Sequence, residues 1–143
     1  MSFLQSLNIS GSGLTAQRLR MDVISENMAN MDTTRTENGG PYRRKMVVFS
    51  TDGNFKNMMI KNLNEYEAGR VEVSEIAEDL SEFKMTYNPE HPDADENGYV
   101  SMPNVDSLKE TVDMMEAYRA YQANITALNT MKQMALKALE IGR

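Results

Sequence analysis

The chain contains no cysteine, no tryptophan and only one histidine among its 143 residues. Without cysteine it cannot form disulfide bonds, thiolate nucleophiles or zinc–thiolate sites, and a lone histidine cannot build a multi-histidine metal centre. No run of apolar residues reaches the roughly 20 that a membrane-spanning helix needs. We therefore predict a protein without a cofactor and without direct insertion into a membrane.

A surplus of positive charge is also missing. The 21 acidic residues outnumber the 15 basic ones, and the net charge of −6 argues against nucleic acid as a partner, because phosphate binding needs a basic face. The first residues, Met1–Ser6, lack the basic and then apolar pattern of a cleaved secretory signal. Hydrophobic residues make up 41% and charged residues 25% of the chain, which is typical of a globular protein.

The last third of the chain, residues 104–143, predicts one long amphipathic helix. Pro103 precedes it, Asn104 is a candidate N-cap, and Ser107 with Glu110 forms a second candidate capping box. Apolar residues, with Ala135 among them, follow at alternating spacings of four and three, and only Lys132 breaks the row. This is the period of a seam that packs on another helix. The predicted seam residues are Met114, Tyr118, Tyr121, Ile125, Leu128 and Leu139.

Residues 1–32 predict a second amphipathic helix with a seam of the same period. Its seam residues are Leu7, Leu14, Met21, Ile24, Met28 and Met31. Gly11 and Gly13 interrupt it, and each glycine costs a helix on the order of 1 kcal/mol relative to alanine. A helix weakened in this way needs a packing partner, and the C-terminal helix is the obvious one. The sequence therefore predicts an α+β fold whose terminal helices pair as an antiparallel coiled coil.

Between the helices, residues 33–103 form a predicted insertion with a small antiparallel β region. Strand patterns occupy residues 42–49, 70–76, 83–87 and 99–102. Of these, 70–76 and 83–87 are predicted to pair with each other. Residues 55–68 fit either a short helix or part of a strand.

Charge is unevenly distributed along this insertion. Arg43, Arg44 and Lys45 form a basic cluster, and acidic residues crowd between Glu65 and Glu96. Two interpretations remain open: a solvated charged face, or complementary patches between neighbouring copies of the chain.

One loop has the beginning of a calcium-binding pattern. Asp93, Asp95 and Asn97 stand at the first three ligand positions, and Gly98 stands at the turn position. The twelfth position is Asn104, which cannot supply the bidentate carboxylate, and prolines before the loop prevent an entering helix. These residues are weak candidates for a metal site, and we favour an Asx-rich turn. The alternative function is a small calcium- or ligand-binding module that uses the loop from Asp93 to Gly98.

The single histidine, His91, lies in the same loop beside acidic residues. A histidine in such a setting can act as a general base. The sequence offers no cysteine, no second histidine and no serine in a nucleophile elbow to complete a catalytic group. We therefore predict no enzymatic activity.

Several motifs together resemble the proximal rod proteins of the bacterial flagellum, within the family of flagellar rod and hook proteins. The stretches are Ser25–Asn30, Thr33–Thr36, Pro41–Lys45, Asn88–Asp95, Gly98–Val100, Met102–Val105, Val112–Met115, Arg119–Tyr121 and Lys137–Arg143. Within them the motif residues that we single out are Asn27, Asn30, Pro89, His91, Pro92, Asp93, Gly98, Tyr99, Pro103 and Asn104. The resemblance covers almost the whole chain.

The resemblance implies a structural subunit of the proximal rod, not an enzyme. Subunits of this family assemble through their terminal helices into a helical drive-shaft tube around the export channel. The implied partners are copies of the chain, other rod subunits, the basal-body adaptor and the export apparatus. The implied location is the basal body, where the rod crosses the periplasm, after export by the flagellar type III apparatus without a cleaved signal.

Overall fold

A computed structural model of the chain describes residues 3–37, 39–51 and 70–141. The segment 55–68, for which the sequence allows a helix or a strand, lies outside the described residues. The elements in chain order are α1 (Phe3–Ala29), β1 (Lys45–Thr51), β2 (Val71–Glu78), β3 (Lys84–Tyr87), β4 (Tyr99–Met102) and α2 (Ser107–Ile141).

The two long helices pack against each other in antiparallel order, and small antiparallel sheets accompany them, so the predicted α+β architecture is confirmed. Asn27 near the end of α1 meets Glu110 at the start of α2, and Gly13 meets Asn124. The same register brings the beginning of α1 to the last third of α2. The last turns of α2 therefore extend past the first described residue of α1.

Small and polar side chains form the row through which α1 contacts α2. Gly13, Arg20 and Asn27 follow one another at intervals of seven residues. An added Cβ at Gly13 would meet the Asn124 amide, and Arg20 and Asn27 bind carboxylates of α2. The residue directly after each of these contact residues is an apolar residue of the predicted seam. That seam therefore lies beside the row that makes the contact. The half-buried residues of this neighbouring row are Leu7, Leu14, Met21 and Met28.

The strands form two separate two-stranded sheets. β1 pairs antiparallel with β2, from Lys45 opposite Glu78 to Thr51 opposite Val71, with a register shift between Val48 and Phe49. β3 pairs antiparallel with β4, with Lys84 opposite Met102 and Tyr87 opposite Tyr99.

The predicted pairing of residues 70–76 with 83–87 is therefore wrong. Asn104 and Arg43 bind the backbone between β2 and β3, at Asp79 and Ser81, and hold the chain where it leaves the first sheet. β3 consequently meets β4, which comes later in the chain. Alternation of apolar and polar residues marks a strand but does not identify its neighbour.

The ends of the helices differ from the predicted ones by a few residues. Asp106 caps α2, since its Oδ1 accepts bonds from the backbone N–H groups of Leu108 and Lys109 at 3.0 and 3.4 Å. The candidate cap Asn104 lies before the helix and accepts a bond from the Arg44 N–H at 2.8 Å instead.

The predicted helical seam of α1 is also too long. The helix stops at Ala29, so Met31 lies outside it and is exposed. The place of Met31 in that seam is therefore wrong, whereas Ile24 lies within the helix and is buried.

None of the helices among the described residues has a stretch that is both long and apolar enough to cross a membrane.

Candidate functional site: a buried polar junction and an apolar helix face

Asn27 lies at the centre of the junction where α1, α2 and β1 meet, and it is completely buried. Its Nδ2 donates to the Lys45 carbonyl at 2.9 Å and to Glu110 Oε2 at 3.1 Å. Its Oδ1 accepts from the Lys45 N–H at 2.9 Å and from the Tyr42 hydroxyl at 3.0 Å. Two donors and two acceptor sites are the full capacity of an asparagine amide, so every one is used.

A buried ion pair joins the same junction to the sheet. Glu110 is 0% exposed, and its Oε1 accepts a bond from Arg44 Nε at 2.6 Å. Arg44 also donates from Nη2 to Asp113 Oδ2 at 3.2 Å and lies 3.8 Å from an Asp79 oxygen. On the other side, Arg20 of α1 reaches the same Asp113 at 3.4 Å. Two carboxylates of α2 thus hold an arginine that directly precedes β1 and an arginine of α1.

The electrostatics of this junction act on Tyr42. Burial, together with the nearby carboxylates of Glu26, Glu110 and Glu78, raises the pKa of Tyr42 to about 12. The hydroxyl therefore keeps its proton through the neutral range and donates it to Asn27.

The residues of the basic cluster Arg43–Lys45 make contacts mainly with other residues of the same chain. Arg43 stacks over the Phe83 ring at 4.4 Å, and Lys45 pairs with Glu26. Arg44 is buried, so the interpretation of this cluster as a solvated face is wrong for that residue. Its carboxylate partners lie on α2, far away in the sequence, and the local sequence pattern therefore does not reveal them.

In the loop that resembles a calcium site, the carboxylate oxygens accept hydrogen bonds from other groups of the same chain. Asp93 Oδ2 accepts from Thr34 Oγ1 at 2.8 Å, and its other oxygen accepts from Arg35. The hydrogen bond from Thr34, with the positive charge of Arg35, holds the pKa of Asp93 below its usual value. Asp95 Oδ1 accepts from the backbone N–H groups of Asn97 and Tyr99. In the part of the chain that the structure describes, no group of three or more acidic or histidine side chains is arranged to hold a metal ion.

Other motif residues shape the same loop. Gly98 has φ +81°, and a Cβ there would come within 3.0 Å of the Tyr87 ring and 3.1 Å of Pro89. Tyr99 stacks edge-on against Tyr87, with ring centroids 5.3 Å apart. His91 Nδ1 accepts a bond from the backbone N–H of the residue two positions later, at 3.1 Å. These contacts fix the backbone of the loop.

The remaining motif residues lie in or near the junction. Asn30 donates from Nδ2 to the Glu26 carbonyl at 2.9 Å, and its backbone N–H donates to the same carbonyl at 3.1 Å, so both bonds hold the end of α1. Asn104 accepts from the Arg44 N–H and donates to the Asp79 carbonyl. Pro103 is fully buried. The motif pattern thus combines junction residues with residues of the loop, among them Pro92, which is exposed.

The predicted C-terminal seam also lies partly beside the helix contact. Tyr118, which is exposed, directly follows the buried Ala117. Ile125, which is half-buried, directly follows the contact residue Asn124. Leu139 continues this second row and is 73% exposed. The other predicted seam residues are half-buried, namely Met114, Tyr121 and Leu128.

The two apolar rows lie along the same side of the helix pair. In an antiparallel pair, residues that stand in equivalent positions just after the contact rows of the two helices face the same flank. The first sheet covers the opposite flank, since Ser12 Oγ accepts from the Val71 N–H at 3.2 Å and Val23 is buried. At about 100° per residue, Ser12 and Val23 lie on the far side of α1 from Leu14. One flank of the pair is therefore covered by the sheet and the other presents apolar side chains.

Sequence reasoning missed Glu110, Arg44 and Tyr42 as the centre of the site. A buried charge pair has no periodic signature, because its two members come from different parts of the chain. The available signal was Glu110 with Asp113, two carboxylates one turn apart at the start of a helix otherwise interpreted as apolar.

Comparisons with known proteins all point to one family. The family model described as flagella basal body rod protein matches residues 7–35, and the one described as flagellar basal body rod FlgEFG protein C-terminal matches residues 96–141. The flagellar basal-body rod protein FlgC of Bacillus subtilis is 51% identical, covering 100% of both chains. The protein of the same name from Borreliella burgdorferi is 45% identical over 99% of this chain and 98% of its own. That from Salmonella typhimurium is 43% identical over 100% of both.

Proposed function

Since this chain belongs to the FlgC family of flagellar basal-body rod proteins, we propose that its helix pair joins the rod through the flank that carries the two apolar rows. The chain is a structural subunit of the flagellar basal-body rod. A rod subunit needs surfaces that bind neighbouring subunits repeatedly, and contacts between different surfaces of one chain can continue as a helical array.

The observation that carries this proposal is the exposure of the apolar rows on the flank opposite the sheet. On α2, Tyr118 and Leu139 are 54% and 73% exposed. Ile125 on α2 and Leu14 and Met21 on α1 are half-buried. Exposed apolar side chains gathered on one flank mark an interaction site in soluble proteins, and in the α2 row only Lys132 interrupts the apolar residues between Ile125 and Leu139. Further helices of the rod are the partners that would fit it, because the rows have the spacing of a helix seam.

Finer features of the role follow as proposals from the same family membership. We propose that the parts 1–32 and 104–143 line the rod around a central export channel, with the part 33–103 outside them. We also propose export by the flagellar type III apparatus without a cleaved signal, a place in the proximal rod where it crosses the periplasm, and contacts with the basal-body adaptor and the export apparatus. A structural role of this kind needs no enzymatic activity.

The experiment that tests the apolar flank is the substitution Leu139→Asp. Leu139 is 73% exposed and lies in the last turns of α2, past the beginning of α1, so the free subunit is expected to keep its fold. In the rod, the new carboxylate would be buried without a partner, which costs several kcal/mol. Cells that carry only this variant are expected to lose motility in soft agar and to yield no complete basal bodies.

Gln133→Asp is the matched control, because it adds a negative charge to the same helix at an exposed position away from the apolar row. It is expected to leave motility intact. Leu128→Asp is a less direct test, since Leu128 is half-buried in the free chain and its loss would also disturb the helix pair. If Leu139→Asp swims as well as Gln133→Asp, the apolar flank is not the assembly surface.

A further inference from the structure

The turn between β2 and β3 is held rigidly although it lies at the surface. Asn104 donates from Nδ2 to the Asp79 carbonyl and to Ser81 Oγ, each at 2.9 Å. Arg43 donates to the Asp79 carbonyl at 3.2 Å, and the Ser81 N–H donates to Asp79 Oδ1 at 3.0 Å. These bonds fix the backbone on both sides of Leu80.

The side chain at the tip of this turn points into solvent. Leu80 is 84% exposed, more than any other large apolar side chain in the described part of the chain. Glu78 and Glu82 flank it and are exposed too. We call residues 78–82 the Leu80 turn. A side chain displayed on a fixed backbone loses little conformational entropy on binding, so the Leu80 turn is prepared for contact with a partner.

A cavity of about 410 Å³ lies beside this turn, between α1, β1 and the first turns of α2, and its lining residue Arg44 is 3.8 Å from Asp79. Its apolar wall includes Ile24, Met46 and Phe49. Its charged lining residues are Arg20, Arg44, Lys45, Lys109 and Asp113.

Lys109 is the basic residue of this cavity that forms no ion pair with a described carboxylate, although its charge also acts on the nearby Asp79 of the same chain. Arg20 and Arg44 pair with Asp113, and Lys45 pairs with Glu26. Across residues 3–37, 39–51 and 70–141, no carboxylate lies within ion-pair distance of Lys109, which is exposed.

The cavity and the turn therefore have complementary properties. The cavity combines an apolar wall with the positive charge of Lys109. The Leu80 turn combines an apolar tip with the negative charges of Glu78 and Glu82.

We propose that the Leu80 turn of one copy inserts into this cavity of a second copy, with Leu80 against Met46 and Phe49 and Glu82 beside Lys109. The complementary charge favours this occupant over a basic or purely apolar segment. The contact joins two different surfaces of the same chain, so it can continue from copy to copy along a helical array. The inference rests on the proposed function only in that copies of the chain are neighbours in the rod.

Cysteine cross-linking tests this contact, because the natural chain has no cysteine to interfere. One version of the full chain carries Leu80→Cys and a second, differently tagged version carries Met46→Cys. Both are produced in the same cells, and the purified basal bodies are oxidised. A disulfide needs Cα atoms within about 7 Å, so a mixed dimer is expected only if the two positions meet between copies.

Leu108→Cys in place of Leu80→Cys is the matched control, since Leu108 is 79% exposed but lies outside the Leu80 turn. Its mixed dimer with Met46→Cys is expected to be absent. Basal bodies that form normally but give no Leu80–Met46 mixed dimer would overturn this contact while leaving the role of the chain as a rod subunit intact.

A second measurement uses charge. Lys109→Glu and Glu82→Lys are each expected to reduce the number of basal bodies per cell, and the two together are expected to restore it. Single variants without effect, or a double variant that restores nothing, would also overturn the contact.

Discussion

Asn27 shows at the scale of one residue why a polar side chain occupies the centre of a helix pair. Its amide binds the backbone of Lys45 in both directions, and it also binds Tyr42 and Glu110. An apolar residue of similar size would remove four hydrogen bonds from buried polar groups, at a cost of roughly 1–3 kcal/mol for each group left unsatisfied. Asn27 therefore fixes the position of β1 relative to both helices.

Tyr42 gives this junction a measurable dependence on alkaline pH. Its pKa is raised to about 12 in the folded chain, so the unfolded chain loses the phenolic proton first. The stabilisation is fully present below the unfolded pKa, near 10, and is lost as the pH rises through the folded value. The free energy of unfolding in urea is expected to fall by on the order of 1 kcal/mol between about pH 9 and about pH 11 because of this group.

Tyr42→Phe is the control for that prediction. It removes the hydroxyl that donates to Asn27, which lowers stability by about 1 kcal/mol at neutral pH, but it leaves nothing to titrate. The difference in unfolding free energy between the two chains is expected to shrink as the pH rises. A constant difference would show that the raised pKa does not contribute to stability.

The buried ion pair predicts unequal effects from two similar substitutions. Glu110→Gln leaves the buried Arg44 without its nearest counter-charge, and removal of one partner of a buried pair typically costs about 3–5 kcal/mol. Asp113→Asn removes a carboxylate whose side chain is 24% exposed, so a loss of about 1 kcal/mol or less is expected. Urea unfolding of the two purified variants measures both values. Equal losses would mean that burial does not set the strength of this pair.

At the residue scale, the sequence identified the motif residues but not the residues that they contact in the fold. Asn27 and Asn104 were singled out by resemblance, yet their contacts with Lys45, Arg44 and Asp79 could not be read from the chain. Those contacts join residues 18 to 60 positions apart, and nothing in the local pattern encodes such distances.

At the scale of the helices, the period of the seams was predicted and the contact row was not. The sequence pattern selects the most apolar row, whereas the helices meet through Gly13, Arg20 and Asn27. Small and polar residues can form this row because the helices approach closely at Gly13 and because carboxylates of α2 satisfy the polar groups. The apolar rows consequently lie on the neighbouring flank.

The two glycines of α1 give a direct test of this contact row. Nothing described lies within 4 Å of a Cβ added at Gly11, so Gly11→Ala is expected to stabilise the helix by on the order of 1 kcal/mol. At Gly13 the added Cβ would come within 2.9 Å of Asn124 Nδ2, so that amide must move. Gly13→Ala is therefore expected to gain less than Gly11→Ala, or to lose stability, in thermal unfolding followed by circular dichroism. An equal gain at both positions would contradict the observed register of α1 and α2.

The same distinction applies to the strands, whose positions were predicted and whose pairing was not. Their positions were predicted within a few residues from alternation, but their partners depend on the turn at Asp79, which Asn104 and Arg43 hold from outside the local sequence. Strand existence is a local property, and strand pairing is a property of the whole fold.

At the scale of the whole molecule, the helix pair has one covered flank and one apolar flank. The sheet, joined through the polar junction, covers the first, and we propose that neighbouring subunits cover the second. The junction fixes the first sheet on the helix pair, so a copy that is placed by its helices also places that sheet. This is the physical link between the buried polar residues and assembly of the rod.

Methionine oxidation tests the proposed covering of the apolar flank most directly, because oxidation follows exposure of the sulfur. Met21 and Met114 are half-buried on this flank, and Met85 is 57% exposed in the second sheet. The purified chain and intact basal bodies are treated with the same dose of hydrogen peroxide, and each methionine is quantified by mass spectrometry. The account predicts that Met21 and Met114 are oxidised in the free chain and protected in basal bodies, more strongly than Met85. Equal oxidation of Met21 and Met114 in the two samples would contradict it.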